Sequence, residues 1–394
     1  MNKASIENQA NYSLMTFILS WTGMVVMSSL YLTIPLLSLF SEYFDISLSK
    51  AGLSSSVFSL GFAIGCFFYG AISEKYGRKN VIVTGLFSLS CITLLLGLTN
   101  DYSVILLLRG LQGLAAATFS PVALAYTLEV FPNDKKVGAV GFISTGFLLA
   151  GIVGQVFSGY VSEHTSWHVT FYVLSLVYLA TALLVFWLLP KGGAVNKAKN
   201  IWEPMKRIGI IFTNGNLIFS YLIAFVLLLS FVSMYIILGE YLTSKSFGMS
   251  SQKLIYIRSI GVFGMILSPI AGKLSKRLNV LSVLKGALTL SIISLLMMGF
   301  ISNIVGLSLI SILFVSGIAL AVPSLVSLVG QLGWNMGGIA VSMYTVILFA
   351  GTSIAPMISV YFMKTGSFTF AFILLATTLC IGLISAMMIR IERK

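Results

Sequence analysis

Two arginines stand where a charge is hardest to keep. Arg109 and Arg258 each lie inside a long apolar block, about six residues from its end, or roughly 9 Å deep by helical rise. A cation at that depth has to face a protein interior or a water-filled cavity. Arg109, Gln112, Ala116 and Ser120 share one helical face by i, i+3 and i+4 spacing, so polar surface continues inward from the charge. That pattern reads as a substrate pathway; a structural arginine snorkelling to the membrane surface is the competing reading. For Arg258 the best-placed acid is Glu240, near the end of the preceding block. A Glu240–Arg258 pair that broke on protonation would be a two-state element suited to proton coupling. A rim ion pair without that role is an equal alternative. Tyr31, Tyr235 with Phe231, and Tyr344 are the aromatic candidates for the same pathway.

A second constellation is Gly70-Ala71-Ile72-Ser73-Glu74-Lys75-Tyr76-Gly77-Arg78-Lys79. Gly70 lets a neighbouring helix approach closely and Gly77 permits a tight turn. Glu74 sits among Lys75, Arg78 and Lys79, and such a charge cluster can act as a gate that forms in one state and opens in another. The alternative is a basic turn with one solvated acid. Glu129 is the second candidate for carrying protons. Gly154 and Gly159 lie on a small-residue face that suits close packing in a gate. His164 and His168 have i, i+4 spacing that could hold a metal, but a structural role is favoured. No metal or cofactor is expected. The apolar blocks contain no His/Glu zinc pattern, Ser/Lys dyad or paired aspartates, and no Gly-x4-Gly-Lys-Ser/Thr loop is present to bind nucleotide.

The elements that must position these residues follow from composition. Of 394 residues, 58% are hydrophobic and 9% charged, against about 25% charged in soluble domains. Too few charges exist to coat a water-exposed surface, which excludes a cytosolic enzyme, a secreted disulfide scaffold and a disordered chain. Cys66, Cys91 and Cys380 all fall in apolar blocks and read as packing residues. The first apolar stretch, from Leu14 to Phe40, is too long for a signal peptide's core. Spans are expected near 14–38, 51–73, 80–99, 103–131, 138–162, 169–189, 214–239, 252–272, 280–300, 304–330, 338–362 and 369–389. Each is long enough to cross a bilayer as a helix, and helix is the state that satisfies the backbone within one segment. The expected class is therefore an all-α membrane protein of twelve transmembrane helices, with the lipid bilayer as its environment.

Net charge is +13. Eighteen of the 24 basic residues fall on one set of alternate segments. Four, Lys50, Lys245, Lys253 and Lys364, fall on the other set, and Arg109 and Arg258 are inside spans. The positive-inside rule then puts both termini in the cytoplasm. The basic charge is a topology signal, and no nucleic acid is needed to explain it.

The longest polar stretch, 190–212, reads as a cytoplasmic linker between an N-terminal bundle, 1–189, and a C-terminal bundle, 213–394. An internal repeat supports that division. Gly70-Ala71-Ile72-Ser73 recurs as Gly272-Lys273-Leu274-Ser275, and Pro121 as Pro323, both at an offset of 202. Ala150-x3-Gly154-Gln155 recurs as Gly351-x3-Ala355-Pro356 at an offset of 201. Two pseudo-symmetric six-helix bundles are the expected architecture, which is that of carriers that rock two halves about a central site.

The 70–79 string resembles the signature loop of the major facilitator superfamily, Gly-x-x-x-Asp-Arg-x-Gly-Arg-Arg/Lys. It matches at Gly70, Gly77, Arg78 and Lys79, and departs at Glu74 and Lys75 with charge kept. Arg109-Gly110-Leu111-Gln112-Gly113 and Glu129-Val130-Phe131-Pro132 look like elements of the twelve-span drug:proton antiporter branch. That branch's fifth-span motif, Gly-x8-Gly-x3-Gly-Pro-x2-Gly-Gly, aligns with Gly141, Ala150, Gly154, Gln155, Ser158 and Gly159, with Gln155 in the proline position. Trp167 to Phe171 resembles the family's entry to span 6, with His168 in its arginine position. The resemblance implies a monomeric secondary transporter of the plasma membrane that exchanges a small-molecule substrate for protons by alternating access.

The expected function is thus proton-coupled efflux of a small polar, anionic or amphipathic molecule; a sugar, polyol, metallophore or drug would fit. No span carries a carboxylate near its midpoint; the resemblance implies such an acid in many cation exporters, so its absence argues against a dedicated organic-cation pump. An importer or uncoupled facilitator of a sugar-like or amino-acid-like solute is the alternative. A receptor or channel without transport is the alternative of another class.

Overall fold

The computed structural model describes residues 11–192, 209, 213–244, 247–249, 257–333, 338–364 and 366–390. Most of the expected linker 190–212 lies outside them, as do Lys3, Lys245 and Lys253. Among the described residues there are helices and no strands.

Polar residues in short breaks decide where the helices begin. The Asn11 side chain accepts from the Leu14 amide and starts α1 (Tyr12–Tyr31). A turn leads to α2 (Leu37–Tyr43). Ser47 caps α3 (Leu48–Tyr76), which α4 (Arg78–Leu98) follows after one residue. Asp101 caps α5 (Tyr102–Ala116), and α6 (Ser120–Val130) completes the fourth span. Next come α7 (Asn133–His164) and α8 (Trp167–Leu188). Asn214 caps α9 (Gly215–Thr243). The eighth span is a pair, Ile257–Met265 and Ile270–Leu278, bent by 44°; its regular parts are α10 (Val262–Met265) and α11 (Ile270–Leu278). Asn279, Asn303 and Ser367 cap α12 (Val280–Met298), α13 (Ile304–Leu332) and α15 (Phe368–Met388), with α14 (Ile339–Met363) before the last. Each cap supplies an acceptor to amides that the helix leaves unpaired. Among the described residues eleven helices are long and apolar enough to span a membrane, twelve if the bent pair is one span.

The eighth span, expected as one continuous helix, is bent, while the fourth runs on from Tyr102 to Val130 as expected, with a local turn. In the fourth, residues 117–119 tighten into a turn whose amides still bond to the Gly113, Ala115 and Ala116 carbonyls, and Pro121 stands in the first turn of α6, where a proline has no amide to lose. Pro269 starts α11 in the same way. Pro323, its counterpart by sequence repeat to Pro121, instead sits inside an unbroken α13.

Two compact units divide the chain. One comprises Met1–Phe131, Phe142–Lys206 and Gly337–Ser342. The other comprises Pro132–Gly141, Arg207–Met336 and Met343–Lys394. The opening turns of α7 therefore belong to the second unit, and the opening residues of α14 to the first.

Each unit repeats the other's local geometry. Gly77, at the α3/α4 junction, has φ +90°, and Asn279, at the α11/α12 junction 202 positions on, has φ +64°. Ser28 on α1 donates to the Ala150 carbonyl on α7 at 3.5 Å, and Ser233 on α9 donates to the Ala355 carbonyl on α14 at 3.3 Å. Both bonds close the same sequence separation, 122 residues.

The φ at Gly77 is one that side chains resist. Gly77→Val is expected to cost about 2 kcal/mol and to slow the transport cycle while leaving ligand affinity unchanged. Thermal unfolding and initial transport rates measure the two effects, and a wild-type rate would remove the gate from this junction.

Candidate functional site

The first unit buries one charge completely. Arg109, on α5, is 0% exposed. Its Nε donates to the Ser54 carbonyl at 3.1 Å and its Nη1 to the Ser29 carbonyl at 3.0 Å. Nη1 also reaches the Gln112 Oε1, and Nη2 reaches the Thr33 hydroxyl at 3.5 Å. The guanidinium carbon lies 4.3 Å from the centre of the Phe58 ring, a cation–π contact. Gln112, also 0% exposed, donates in turn to the Thr93 hydroxyl at 2.8 Å. Every acceptor in this list is neutral. The polar face expected along the fourth span is present, but Arg109 and Gln112 point into the closed interior of the unit and not into open space. The interior closes on them because α3 and α5 cross at glycines: Gly61 lies against the Gly110 carbonyl, and Gly113 against the Phe58 carbonyl. Ser120 is buried at the start of α6.

Helices α1 and α7 of the same unit meet through small residues as well. A Cβ at Gly154 would come within 2.7 Å of the Ser28 carbonyl oxygen. Tyr31, half-buried, lies over Gly151. Gly159 faces Pro35 with ordinary spacing, so close packing is required at Gly154 and not at Gly159.

The charged string at the α3/α4 junction is a tight cluster. Arg78 is buried and sits at its centre. Its Nη2 is 2.6 Å from the Glu129 Oε1 and 3.5 Å from the Glu74 Oε1. Its Nη1 donates to the Gly70 carbonyl at 2.9 Å. Glu74 also accepts the Gly338 amide at 2.5 Å, at the N-terminal end of α14. A carboxylate is favoured there by the unpaired amides and the helix dipole. Gly70 packs directly on Ser342 in the first turn of α14. The sequence places Gly70, Glu74, Gly77 and Arg78 together, but it does not reveal that Glu129, 51 residues further on, joins them. Lys79 does not belong to the cluster. Its Nζ donates to the Phe186 carbonyl at 2.6 Å, at the end of α8; a lysine there satisfies a terminal carbonyl.

In the second unit Arg258 does not pair with Glu240. Its Nη2 lies 3.5 Å from the Tyr235 carbonyl and rests over Gly239, where a Cβ would meet it at 2.9 Å. Glu240 follows Gly239 on α9 and is turned by one residue to an exposed face. Tyr235 itself directs its hydroxyl at Gly261, and that buried oxygen has no hydrogen-bond partner among the described residues. Tyr344, the other aromatic candidate, is 1% exposed on α14 and its hydroxyl is likewise unpartnered. This unit has its own version of the α3/α4 cluster: Gly272 packs on Gly138, and Lys276 lies 3.5 Å from Asp134.

The histidines are separately engaged. His164 Nδ1 contacts the Tyr160 carbonyl at 2.8 Å, while His168 stacks on Trp167 and contacts Asn100 at 2.9 Å. Among the described residues no group of three or more His, Cys, Asp or Glu stands ready to hold a metal ion. A groove of about 540 Å³ opens on α3, α4 and α5, lined by Tyr69, Asn80, Thr84, Ser88 and Thr118, with none of the expected substrate residues on it.

A sequence profile described as Major Facilitator Superfamily matches residues 19–333. A protein of Buchnera aphidicola subsp. Baizongia pistaciae named "Uncharacterized transporter" is 28% identical over 370 residues, 92% of this chain and 90% of that one. "Multidrug resistance protein MdtG" of Salmonella arizonae is 25% identical over 294 residues, 72% of each chain. Among solved structures, the transporter FucP in its outward conformation superimposes with a TM-score of 0.77 at 16% identity, covering 96% of this chain and 99% of that one.

Proposed function

The chain belongs to the major facilitator superfamily, and from that premise we propose that it is a proton-coupled exporter of a small amphipathic molecule in the plasma membrane. It is a transport protein and not an enzyme, with a multi-pass membrane fold. The finer reading places both termini and the α3/α4 junction in the cytoplasm, on the charge asymmetry of the loops. Efflux is favoured by the likeness to a multidrug resistance protein over 72% of the chain.

The observation that carries the reading is the Arg78 cluster. One guanidinium serves two carboxylates, Glu74 and Glu129, and Glu74 holds the Gly338 amide just before α14. Two acids on one base form an element with a weak partner to lose. Protonating Glu74 weakens its ion pair and its hold on the Gly338 amide, and protonating Glu129 removes the shorter ion pair of Arg78, so either event biases the two-state element that lets access alternate. Coupling of protons to conformation is therefore assigned to Glu129 with Glu74. Glu240 drops in rank because no cation pairs with it among the described residues.

The test uses purified protein in vesicles holding a pH-sensitive dye, challenged with a panel of amphipathic drugs and carboxylates. A compound that is carried out should release protons down an imposed gradient. Glu129→Gln is expected to cut gradient-driven transport at least tenfold, and Glu240→Gln by less than twofold. Transport by the wild type that ignores the gradient would make the protein a facilitator. Equal responses of wild type and Glu129→Gln would move coupling elsewhere.

A further inference from the structure

Both intramembrane arginines are cations without an acid beside them, but they differ in what occupies their donors. Arg109 is sealed in and spends its N–H groups on four neutral acceptors. Arg258 is exposed, and the described residues offer it one long contact, the Tyr235 carbonyl at 3.5 Å. Three of the chain's eleven acids, Glu7, Glu203 and Glu392, fall outside the described residues. None of the other eight forms an ion pair with Arg258. A guanidinium presents five donors in a planar fork that matches a carboxylate or phosphate. Leaving most of them open at membrane depth is costly unless something else comes to fill them.

A second open donor stands beside it. The Tyr235 hydroxyl is buried, lacks a partner among the described residues, and abuts Gly261. Gly261 is three residues from Arg258, one helical turn on the same face; the guanidinium reaches across to Gly239 on α9 and the phenol reaches back to Gly261, so both groups lie where α9 meets the eighth span. Both glycines at this place are spacers. Gly239 leaves room for the guanidinium and Gly261 for the phenol. Phe231 packs on the Tyr235 ring with centroids 5.3 Å apart, which adds an apolar wall next to the polar pair.

We infer that Arg258 and the Tyr235 hydroxyl form the anion-binding subsite of the transported molecule, which is an amphipathic carboxylate with its apolar part towards Phe231. The inference rests on the transporter reading above and narrows its substrate to a class. The carboxylate accepts from the guanidinium and from the phenol, and charge-assisted bonds of this kind are the strong ones.

The experiment compares phenylacetate with its neutral isostere phenylacetamide on the purified full-length protein. Binding is followed as ligand-dependent thermal stabilisation, and transport as counterflow of radiolabelled phenylacetate in vesicles. Wild type is expected to be stabilised by phenylacetate and not by phenylacetamide. Arg258→Gln should weaken phenylacetate binding at least tenfold, Arg258→Lys less, and Tyr235→Phe roughly threefold to tenfold. Equal stabilisation by acid and amide, no stabilisation by the acid, or wild-type affinity in Arg258→Gln would each overturn the subsite. If the acid binds through Arg258 but shows no counterflow, the site holds an anion that is not carried, and its assignment to the transported molecule falls. If it is carried equally well by Arg258→Gln, the transporter reading stands and the subsite falls.

Discussion

Arg109→Ala is expected to destabilise the protein by roughly 3 kcal/mol or more. The substitution strips the Ser29 and Ser54 carbonyls and Gln112 of their donor in a place that is 0% exposed, where no water replaces it. It also empties the space over the Phe58 ring. Arg109→Lys should recover part of the loss, because an ammonium keeps the charge but cannot span the same four acceptors. Arg109→Met is the informative variant. An apolar side chain of similar volume often replaces a buried charge at little cost, so its melting temperature should lie above that of Arg109→Ala. A stable Arg109→Met that transports at the wild-type rate would show that the charge serves folding alone. A stable variant that fails to transport would give it a role in the cycle. Thermal unfolding in micelles and proton flux in vesicles supply both readings.

Arg78→Gln is expected to lower transport at least tenfold and to leave ligand binding within about threefold, since one such buried charged partner is worth roughly 1.5–3 kcal/mol. Without the guanidinium, Glu74 and Glu129 face each other with no cation between them, and the Gly70 carbonyl loses its donor. The contact between Glu74 and the start of α14 weakens as a result. Pairing Arg78→Gln with Glu129→Gln removes the repulsion and should restore part of the melting temperature but not the transport rate. Full transport by Arg78→Gln would detach the cluster from the cycle altogether.

The fold was legible because each span is written in a run of apolar residues and each break in a capping residue or glycine. Asn11, Ser47, Asp101 and Asn214 stand at helix starts, and Gly77 turns the chain where its type implies a turn. The turn at 117–119 and the bend in the eighth span each precede a proline, Pro121 and Pro269, but a proline alone does not separate a bend from a straight helix, as Pro323 inside α13 shows. Site residues were readable as types and not as pairings. An i, i+3 spacing brought Arg109 to Gln112 correctly because one helix decides it. Whether Arg258 met Glu240 depended on the rotation of α9 against the eighth span, and one residue of rotation presents Gly239 in place of Glu240. Glu129 joined Arg78 across 51 residues, a distance over which no helical spacing rule operates.

The bond from Ser28 to the Ala150 carbonyl, 122 residues on, carries a consequence for biosynthesis. Ribosomes add about 5–20 residues per second, so α1 resides in the bilayer for roughly 6–24 s before its partner on α7 has been made. During that interval a bare hydroxyl would face hydrocarbon. Ser28 avoids this because its Oγ also donates to Met24, in its own helix, at 2.7 Å. Ser28 is thus satisfied while α1 is alone, and the later contact is a second acceptor for a proton donor already in use. A chain arrested on the ribosome after α1 but before α7 should accordingly insert as fully as the finished protein does.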